Sequence, residues 1–301
     1  MARRRRGLRI LLGVLLALVL LAGGLAVALR LTSPPPPEAV AQAPAKPIPE
    51  EWTAPSDMIE VPTPVVAEGR AAWSTTGTVL LLSNDKPFGE ETYELDVGPD
   101  GASLSSSGRF WFRILVATVR VSFTQSWAGG KDLEPREYSA HFDAPLGQSQ
   151  TLQAAFAAES AAVRRNGDEE TFPVPLDEAV VLGTFSSYAF LPVLFRERHV
   201  DGRAEFSALL FGGPPGAAAP SAEGLPRLVM ERDGEGLLTA GEARVAAERY
   251  ILESPLGTSE LYAKGHEMLA LVAGTADRRL FVYRSDYFPT PPKIGAVPPS
   301  E

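Results

Sequence analysis

The sequence predicts a mostly β protein: a large curved antiparallel sheet, shaped as a half-barrel or open barrel with one short helix, preceded by a single N-terminal transmembrane helix. Three observations lead to this prediction. An apolar run fills residues 10–31, a proline-rich stretch fills 32–57, and short β-prone segments separated by Gly, Pro, Asn and Asp fill 58–288. Strands that recur at short intervals with such turns are typical of one exported β domain built on a single large sheet.

The apolar run is long enough to cross a membrane. Ile10 to Leu29 carry no charged side chain, and about 20 such residues make a helix of roughly 30 Å, the thickness of the hydrocarbon core. Residues 1–9 hold five arginines, whereas Arg30 alone stands at the far end. The positive-inside rule keeps residues 1–9 cytoplasmic. We therefore expect a single-pass protein of the cell membrane, held there by residues 10–31, whose C-terminal domain is periplasmic or otherwise extracytoplasmic.

Two interpretations of this run stay open. It is a signal anchor that remains in the membrane, or a signal peptide cut after Ala28, because Ala26-Val27-Ala28 matches the small-x-small pattern of a cleavage site. The run exceeds the ordinary apolar core of a signal peptide, which favours the anchor. The chain has no cysteine, so the lipid-modified cysteine of a lipoprotein is excluded.

Charge and cysteine content exclude several classes of function. The first 31 residues contain six arginines and no acidic residue, so the rest carries 22 basic against 37 acidic side chains, a formal charge of −15. Such a domain repels nucleic acid, and no nucleic-acid partner is expected. Without cysteine there are no disulfides, thiol nucleophiles or zinc–thiolate sites, so packing alone must stabilise the exported domain.

Two proline-rich segments flank the predicted β domain. In 32–57 the run Pro34-Pro35-Pro36-Pro37 is followed by Ala-Pro and Lys-Pro pairs. Such sequences favour extended polyproline II, so this segment is predicted to be a semi-rigid linker. The segment 289–301 is also rich in proline and is predicted to be a flexible tail.

Alternation predicts the strands at the start of the domain. Tyr93, Leu95 and Val97 alternate with acidic residues, which places one apolar face against a core. Gly98-Pro99-Asp100-Gly101 supplies a turn. The following segments repeat the pattern, so an antiparallel meander with one solvated face is expected.

Two later segments need a decision between helix and strand. The stretch Leu152 to Arg165 is rich in alanine, which favours helix, but Asn166-Gly167 is a strong hairpin signal. We predict a hairpin over 150–175. Residues 186–198 are the best helix candidate, and Pro192 would kink this helix if it lay in the interior.

Several stretches resemble a loose group of exported bacterial domains of unknown function. They are FGEETYELDVGPDGASLSSSGRF, VSFTQ, LEPREYSAHF and YRSDYF, spread between Trp73 and Phe288. The group is similar to the lipoprotein-carrier (LolA/LolB-like) half-barrel, in which a curved sheet wraps a helix and can leave an apolar trough. The resemblance implies a role in handling an apolar ligand or a lipoprotein. This chain departs from the carriers in its anchor and proline-rich linker, which favours a tethered role over shuttling.

The residue types that carry catalysis form no recognisable motif. His141, His199 and His266 are far apart in the sequence and lack the spacing of metal ligands. Gly147-Gln148-Ser149-Gln150 lacks the second glycine of a nucleophile elbow. We therefore predict no catalytic residue, no metal, no cofactor and no enzymatic activity, with a hydrolase as the least supported class.

The aromatic residues supply the candidate site. Phe110, Trp111 and Phe112 are consecutive, so they point to both faces of a strand, and one face needs cover from a second layer, a ligand or a partner. Aromatic residues of the candidate helix can supply this cover. The predicted ligand-binding residues are Phe110, Phe112, Tyr188, Phe190 and Phe195. The alternative is that helix and sheet simply close on one another as core.

The predicted function is binding without catalysis. A membrane-tethered envelope protein would bind or handle a lipid, a lipoprotein or another apolar ligand in a trough between helix and sheet. The alternative is a structural or interaction module that docks another envelope protein through its sheet surface or edge strands. An apolar cavity would favour the first function, and a filled core the second.

Overall fold

The fold is seen in a computed structural model that describes the β domain and part of the linker. The described residues are 46–49, 52, 72–114, 117–145, 148–157, 159–174, 178–210, 225–254, 257–275 and 278–297. The predicted anchor, 10–31, lies outside these ranges. Within them, no helix has the length and apolar character needed to span a bilayer.

Sixteen strands in the described ranges join in one large, open, curved sheet. The strands are β1 (Trp73–Ser83), β2 (Lys86–Gly98), β3 (Gly101–Ile114), β4 (Ala117–Gly129), β5 (Pro135–Ala144), β6 (Gln148–Ala157), β7 (Ser160–Arg165), β8 (Asp168–Pro173), β9 (Ala179–Leu182), β10 (Arg203–Leu210), β11 (Arg227–Ala240), β12 (Ala243–Ser254), β13 (Gly257–Lys264), β14 (Glu267–Thr275), β15 (Arg278–Arg284) and β16 (Lys293–Ala296). A 3-10 helix (Phe185–Phe190) leads into α1 (Leu191–Arg198) between β9 and β10. The prediction of a mostly β fold with one short helix is confirmed.

The order of strands in the sheet largely follows the order in the chain. The sheet runs from β8 back to β1, continues from β1 to β15, and then runs back to β9. Neighbouring strands pair antiparallel, except that β9 and β10 pair in parallel, with Val180 opposite Ala208. The structure differs here from the antiparallel prediction. The helical segment between the two strands carries the chain from the end of β9 back to the level where β9 begins, so β10 runs in the same direction as β9.

The alanine-rich stretch Leu152 to Arg165, for which the sequence favoured neither helix nor strand clearly, forms most of β6 and all of β7. Both strands pair along their length, since Leu152 lies opposite Arg165 and also opposite Ala140 of β5. Pairing on both sides outweighs the helix preference of alanine. The predicted turn is present between β7 and β8, where Asn166 and Gly167 have φ angles of 51° and 100°.

The helical segment differs from the predicted helix 186–198 in its first half. It opens as the 3-10 helix and becomes α-helical only at Leu191. Pro192 lies in the first turn of α1, where the missing N–H has no intrahelical acceptor to lose. The expected kink therefore does not arise.

The sheet carries a hydrophobic core on each face. On the inner face, the 3-10 helix and α1 pack against side chains such as Leu95 and Trp127. On the outer face, residues such as Leu82 and Tyr283 are covered by Phe288 from the chain beyond β15. Strand β16 lies within the segment predicted as a tail and pairs with β11.

Part of the predicted linker also packs on the domain. Lys46 Nζ donates to the Thr76 carbonyl at 2.8 Å and lies 3.3 Å from Asp286 Oδ2. The Trp52 ring packs against Tyr287 with a centroid distance of 5.0 Å and closes the outer core. Proline-rich composition predicts an extended chain, but it does not reveal that such a chain lies against a surface.

Candidate functional site

Phenylalanine rings gather at one end of the inner face. They come from β2, β3, β4, β5 and the 3-10 helix, and we call them the phenylalanine cluster: Phe88, Phe110, Phe112, Phe123, Phe142 and Phe185. Phe110 is the central ring, with centroid distances of 4.7 Å to Phe123, 6.1 Å to Phe112 and 6.2 Å to Phe185. Such offset and edge-on ring pairs are favourable beyond the area they bury.

Local backbone features bring these rings together. Phe110 and Phe112 are two residues apart on β3 and share the inner face. Leu81 pairs with Gly89 while Leu82 pairs with Pro87, so Phe88 is an extra residue in a bulge, which redirects its side chain. Its ring lies 6.4 Å from that of Phe185. The sequence alternation of β2 does not reveal this bulge.

The cluster opens to solvent at Phe112. Phe110 is 9% exposed, whereas Phe112 is 46% exposed, and Phe88, Phe142 and Phe185 are half-buried. The structure therefore brings together two of the predicted site residues, Phe110 and Phe112, at an apolar surface.

The other three predicted site residues lie outside the cluster: Phe190 and Phe195 are buried, and Tyr188 is half-buried. Phe190 packs on Trp127 at 4.4 Å, and Phe195 packs edge-on against Tyr250 at 4.9 Å. Tyr188 lines an enclosed cavity of about 20 Å³, which holds roughly one water molecule. These residues fill the space between helix and sheet, so this part of the predicted trough is packed core.

A buried carboxyl group lies beside the phenylalanine cluster. Glu91 is 1% exposed. Its Oε1 accepts hydrogen bonds from the hydroxyl groups of Ser106, at 2.7 Å, and Thr184, and its Oε2 accepts one from the Ser186 N–H at 3.1 Å. Gly108 lies opposite Glu91 on β3, and a Cβ there would come within 2.7 Å of the Phe123 ring. The absence of a side chain at Gly108 therefore leaves room for the Phe123 ring next to the position opposite Glu91.

A buried amide extends this arrangement across the sheet. Gln125 Nε2 donates to Ser186 Oγ at 2.9 Å, and Gln125 Oε1 accepts from the Tyr138 hydroxyl and the Thr184 N–H, both at 3.1 Å. We call Glu91, Ser106, Gln125, Tyr138, Thr184, Ser186 and Ser187 the Glu91 network. It fastens the turn that carries Phe185 to β2, β3, β4 and β5.

Burial controls the ionisation of the network. Desolvation raises the pKa of Glu91, while hydrogen bonds from Ser186, Thr184 and Ser106 oppose part of that rise. Burial also raises the pKa of Tyr138, with a further contribution from Glu91. The carboxyl is 1% exposed and hydrogen-bonded to Ser106, Thr184 and Ser186, so we assign it a positioning role.

The three histidines lie in separate environments. His141 Nε2 lies 3.1 Å from Asp143, His199 Nδ1 lies 3.0 Å from the Phe195 carbonyl, and His266 stacks on Trp73. Desolvation lowers the pKa of His266, and Arg196 contributes in the same direction. In the described part of the chain, His, Asp and Glu side chains form no group of three or more suited to a metal ion.

The outer face carries a second, polar depression. It has a volume of about 530 Å³ and crosses β2 to β8. Its floor holds small hydroxyl and amide side chains, including Ser105, Ser126 and Gln153, and carboxylates such as Glu94 and Glu137 lie along it. Hydroxyl, amide and charged side chains predominate in this lining, which contains Trp127 and Tyr138 but no phenylalanine.

Comparisons with known proteins give structural similarities only. No family model and no curated protein matches the sequence. The chain is similar to a β-barrel-like protein of the domain of unknown function DUF1849 from Brucella abortus, with a TM-score of 0.48, 8% identity, and 72% of this chain and 97% of that chain covered. It is also similar to a DUF1089 family protein from Pseudomonas aeruginosa, with a TM-score of 0.39, 15% identity, and 69% and 90% covered. At these TM-scores neither similarity bears on function.

Proposed function

We propose that this protein is a non-catalytic binding protein of the cell envelope, which holds an apolar ligand at the phenylalanine cluster. Residues 10–31 tether it to the cytoplasmic membrane, and the β domain faces the extracytoplasmic side. The ligand is a lipid, the acyl chain of a lipoprotein, or another apolar envelope component. We also propose that the sequence resemblance to the lipoprotein-carrier half-barrel reflects the same class of ligand.

The observation that carries the proposal is the exposure of Phe112 at 46% beside a ring that is 9% exposed. A large apolar side chain next to half-buried aromatic neighbours forms a continuous apolar surface, and such surfaces are typical of binding sites. Because Phe190 and Phe195 fill the space deeper in the domain, the ligand lies at the mouth of the inner face.

Photoaffinity labelling tests this proposal. The full-length chain in phosphatidylcholine nanodiscs is labelled with a diazirine analogue of hexadecan-1-ol, and labelled peptides are mapped. We expect labelling of peptides that contain Phe112 and Phe185, with a several-fold loss in Phe112→Ser. Val200→Ser is the matched control, because Val200 is 73% exposed and outside the cluster. Labelling confined to residues 10–31, or equal labelling in both variants, would contradict the proposal.

The second candidate function is docking of an envelope protein, favoured by the polar depression on the outer face. Its lining of hydroxyl, amide and charged side chains suits a polar protein surface better than an acyl chain. A photo-crosslinking amino acid in place of Ser126 would give one discrete crosslinked partner if this face docks a protein. The absence of any crosslinked adduct would leave the outer face without a role in docking.

A further inference from the structure

We propose that the ligand is an anionic amphiphile, a single acyl chain with a carboxylate or phosphate headgroup, and that Arg165 binds the headgroup. This inference rests on the proposed binding of an apolar chain at the phenylalanine cluster. It adds the chemical class of the ligand and a residue that determines specificity.

Strand register places Arg165 on the inner face. Arg165 lies opposite Leu152, which is buried in the inner core, and residues directly opposite one another share a face of the sheet. Its neighbour Arg164 therefore points to the outer face, where it donates to Glu169 at 2.7 Å. The two adjacent arginines serve opposite sides of the same strand.

Arg165 lies at the same end of the sheet as the phenylalanine cluster. Phe142 is opposite Gln150 at the start of β6, and Leu152, two residues further along β6, is opposite Arg165 on β7. Two strand spacings, about 10 Å, separate β5 from β7. A chain lying on Phe142 can therefore place its headgroup beside Arg165, with the half-buried Gln150 between them.

Arg165 is half-buried, and its guanidinium has no ion-pair or hydrogen-bond partner among the described residues. Asp168 is the residue opposite it on β8, but the two side chains are not within ion-pair distance. The chain beyond residue 31 carries 22 basic and 37 acidic side chains. An unpaired cation on the inner face of such an acidic domain is complementary to a ligand anion, and guanidinium binds carboxylate and phosphate through paired hydrogen bonds.

A competition experiment separates headgroup binding from chain binding. The full-length chain in phosphatidylcholine nanodiscs is labelled with the neutral diazirine analogue of hexadecan-1-ol, and unlabelled hexadecanoic acid, hexadecan-1-ol or acetate is added as competitor. We expect Arg165→Gln to weaken competition by hexadecanoic acid about tenfold or more and to leave competition by hexadecan-1-ol unchanged. Arg164→Gln, the matched control on the outer face, should change neither.

The outcomes distinguish this inference from the proposed function. Absence of labelling at the cluster contradicts the proposed function itself. Labelling that is lost in Phe112→Ser, together with equal competition by the acid in Arg165→Gln and the unchanged protein, overturns the headgroup assignment alone. Competition by acetate as strong as that by hexadecanoic acid would also overturn it, because the site would then bind a free anion.

Discussion

Glu91 and Ser186 join the curved sheet to the helical segment. The Ser186 N–H donates to Glu91 Oε2 at 3.1 Å, and the preceding Thr184 hydroxyl donates to Glu91 Oε1. Phe185 lies between these two residues and is therefore held in the phenylalanine cluster by hydrogen bonds on both sides. A buried polar network that is fully paired fixes one arrangement of the surrounding core.

The raised pKa of Glu91 predicts a specific pH dependence of stability. The folded state binds this proton more tightly than the unfolded state, so the stabilisation is present below the ordinary value of 4.5 and is lost as the pH rises through the folded-state pKa. Each unit of pKa shift is worth about 1.4 kcal/mol. In Glu91→Gln this dependence should disappear, so the difference in unfolding free energy should move in favour of the variant between pH 4 and pH 8. A constant difference across this range, measured by urea unfolding, would exclude the assignment.

Gly183, directly after β9, lies close to side chains of β4 and β5. We therefore predict that a larger residue at this position destabilises the domain. A Cβ at this position would lie 2.2 Å from both Gln125 Oε1 and the Tyr138 hydroxyl. We expect Gly183→Ala to lower the free energy of unfolding by about 1–3 kcal/mol. Gly295→Ala is the control, because a Cβ there meets nothing within 4 Å, and it should be near neutral. Similar stabilities of the two variants would show that β9 can move away from the Glu91 network without loss.

A buried arginine predicts a large loss of stability at the centre of the sheet. The Arg284 side chain is 0% exposed, and it donates to Asp286 Oδ1 at 2.7 Å and to the Tyr93 hydroxyl at 2.9 Å. Burial opposes its charge, but Tyr93 and Asp286 raise its pKa, so it stays protonated. Arg284→Met removes the buried cation from the half-buried carboxylates of Asp286 and Glu267, of which Asp286 keeps only the exposed Lys46, and should cost about 3–5 kcal/mol.

Arg109 supplies the control for this substitution. Its ion pair with Glu90 measures 2.5 Å, but its side chain is 49% exposed. Arg109→Met should change stability by less than about 1 kcal/mol. If both methionine variants unfolded at the same urea concentration, the structural importance of the buried pair would be refuted.

The packing of the linker predicts that Trp52 stabilises the folded domain. Trp52 is 9% exposed and packs against Tyr287. Trp52→Ala should lower the free energy of unfolding by about 3 kcal/mol, measured by circular dichroism during urea denaturation. Phe112→Ala removes a ring that is 46% exposed and should cost less. An equal or smaller effect at Trp52 would mean that the linker adds little to the outer core.

The sequence pattern is informative wherever local periodicity decides the structure. Tyr93, Leu95 and Val97 are buried as their alternation predicts. Glu91 lies two residues before Tyr93, so the same alternation places it on the inner face. The sequence therefore contains the signal that this carboxyl group is buried. The Asn166-Gly167 turn likewise follows from the conformations these residues adopt readily.

Contacts between distant segments could not be read from local patterns. The bulge at Phe88 depends on pairing with β1, and the parallel pairing of β9 with β10 depends on where the helical segment returns. The separation of Phe112 from Phe190 and Phe195 is a further example, because one hydrophobic pattern describes both an open apolar surface and a filled core.

The most direct test of the binding account is fluorine NMR on single rings. The full-length chain in nanodiscs carries 4-fluorophenylalanine at position 112 or, as the buried control, at position 195, where Phe195 is 1% exposed. During titration with hexadecan-1-ol, the account predicts a saturable shift of the resonance at Phe112 and no shift at Phe195. If the resonance at position 112 did not shift, or if the resonance at position 195 shifted in its place, binding at the phenylalanine cluster would be contradicted.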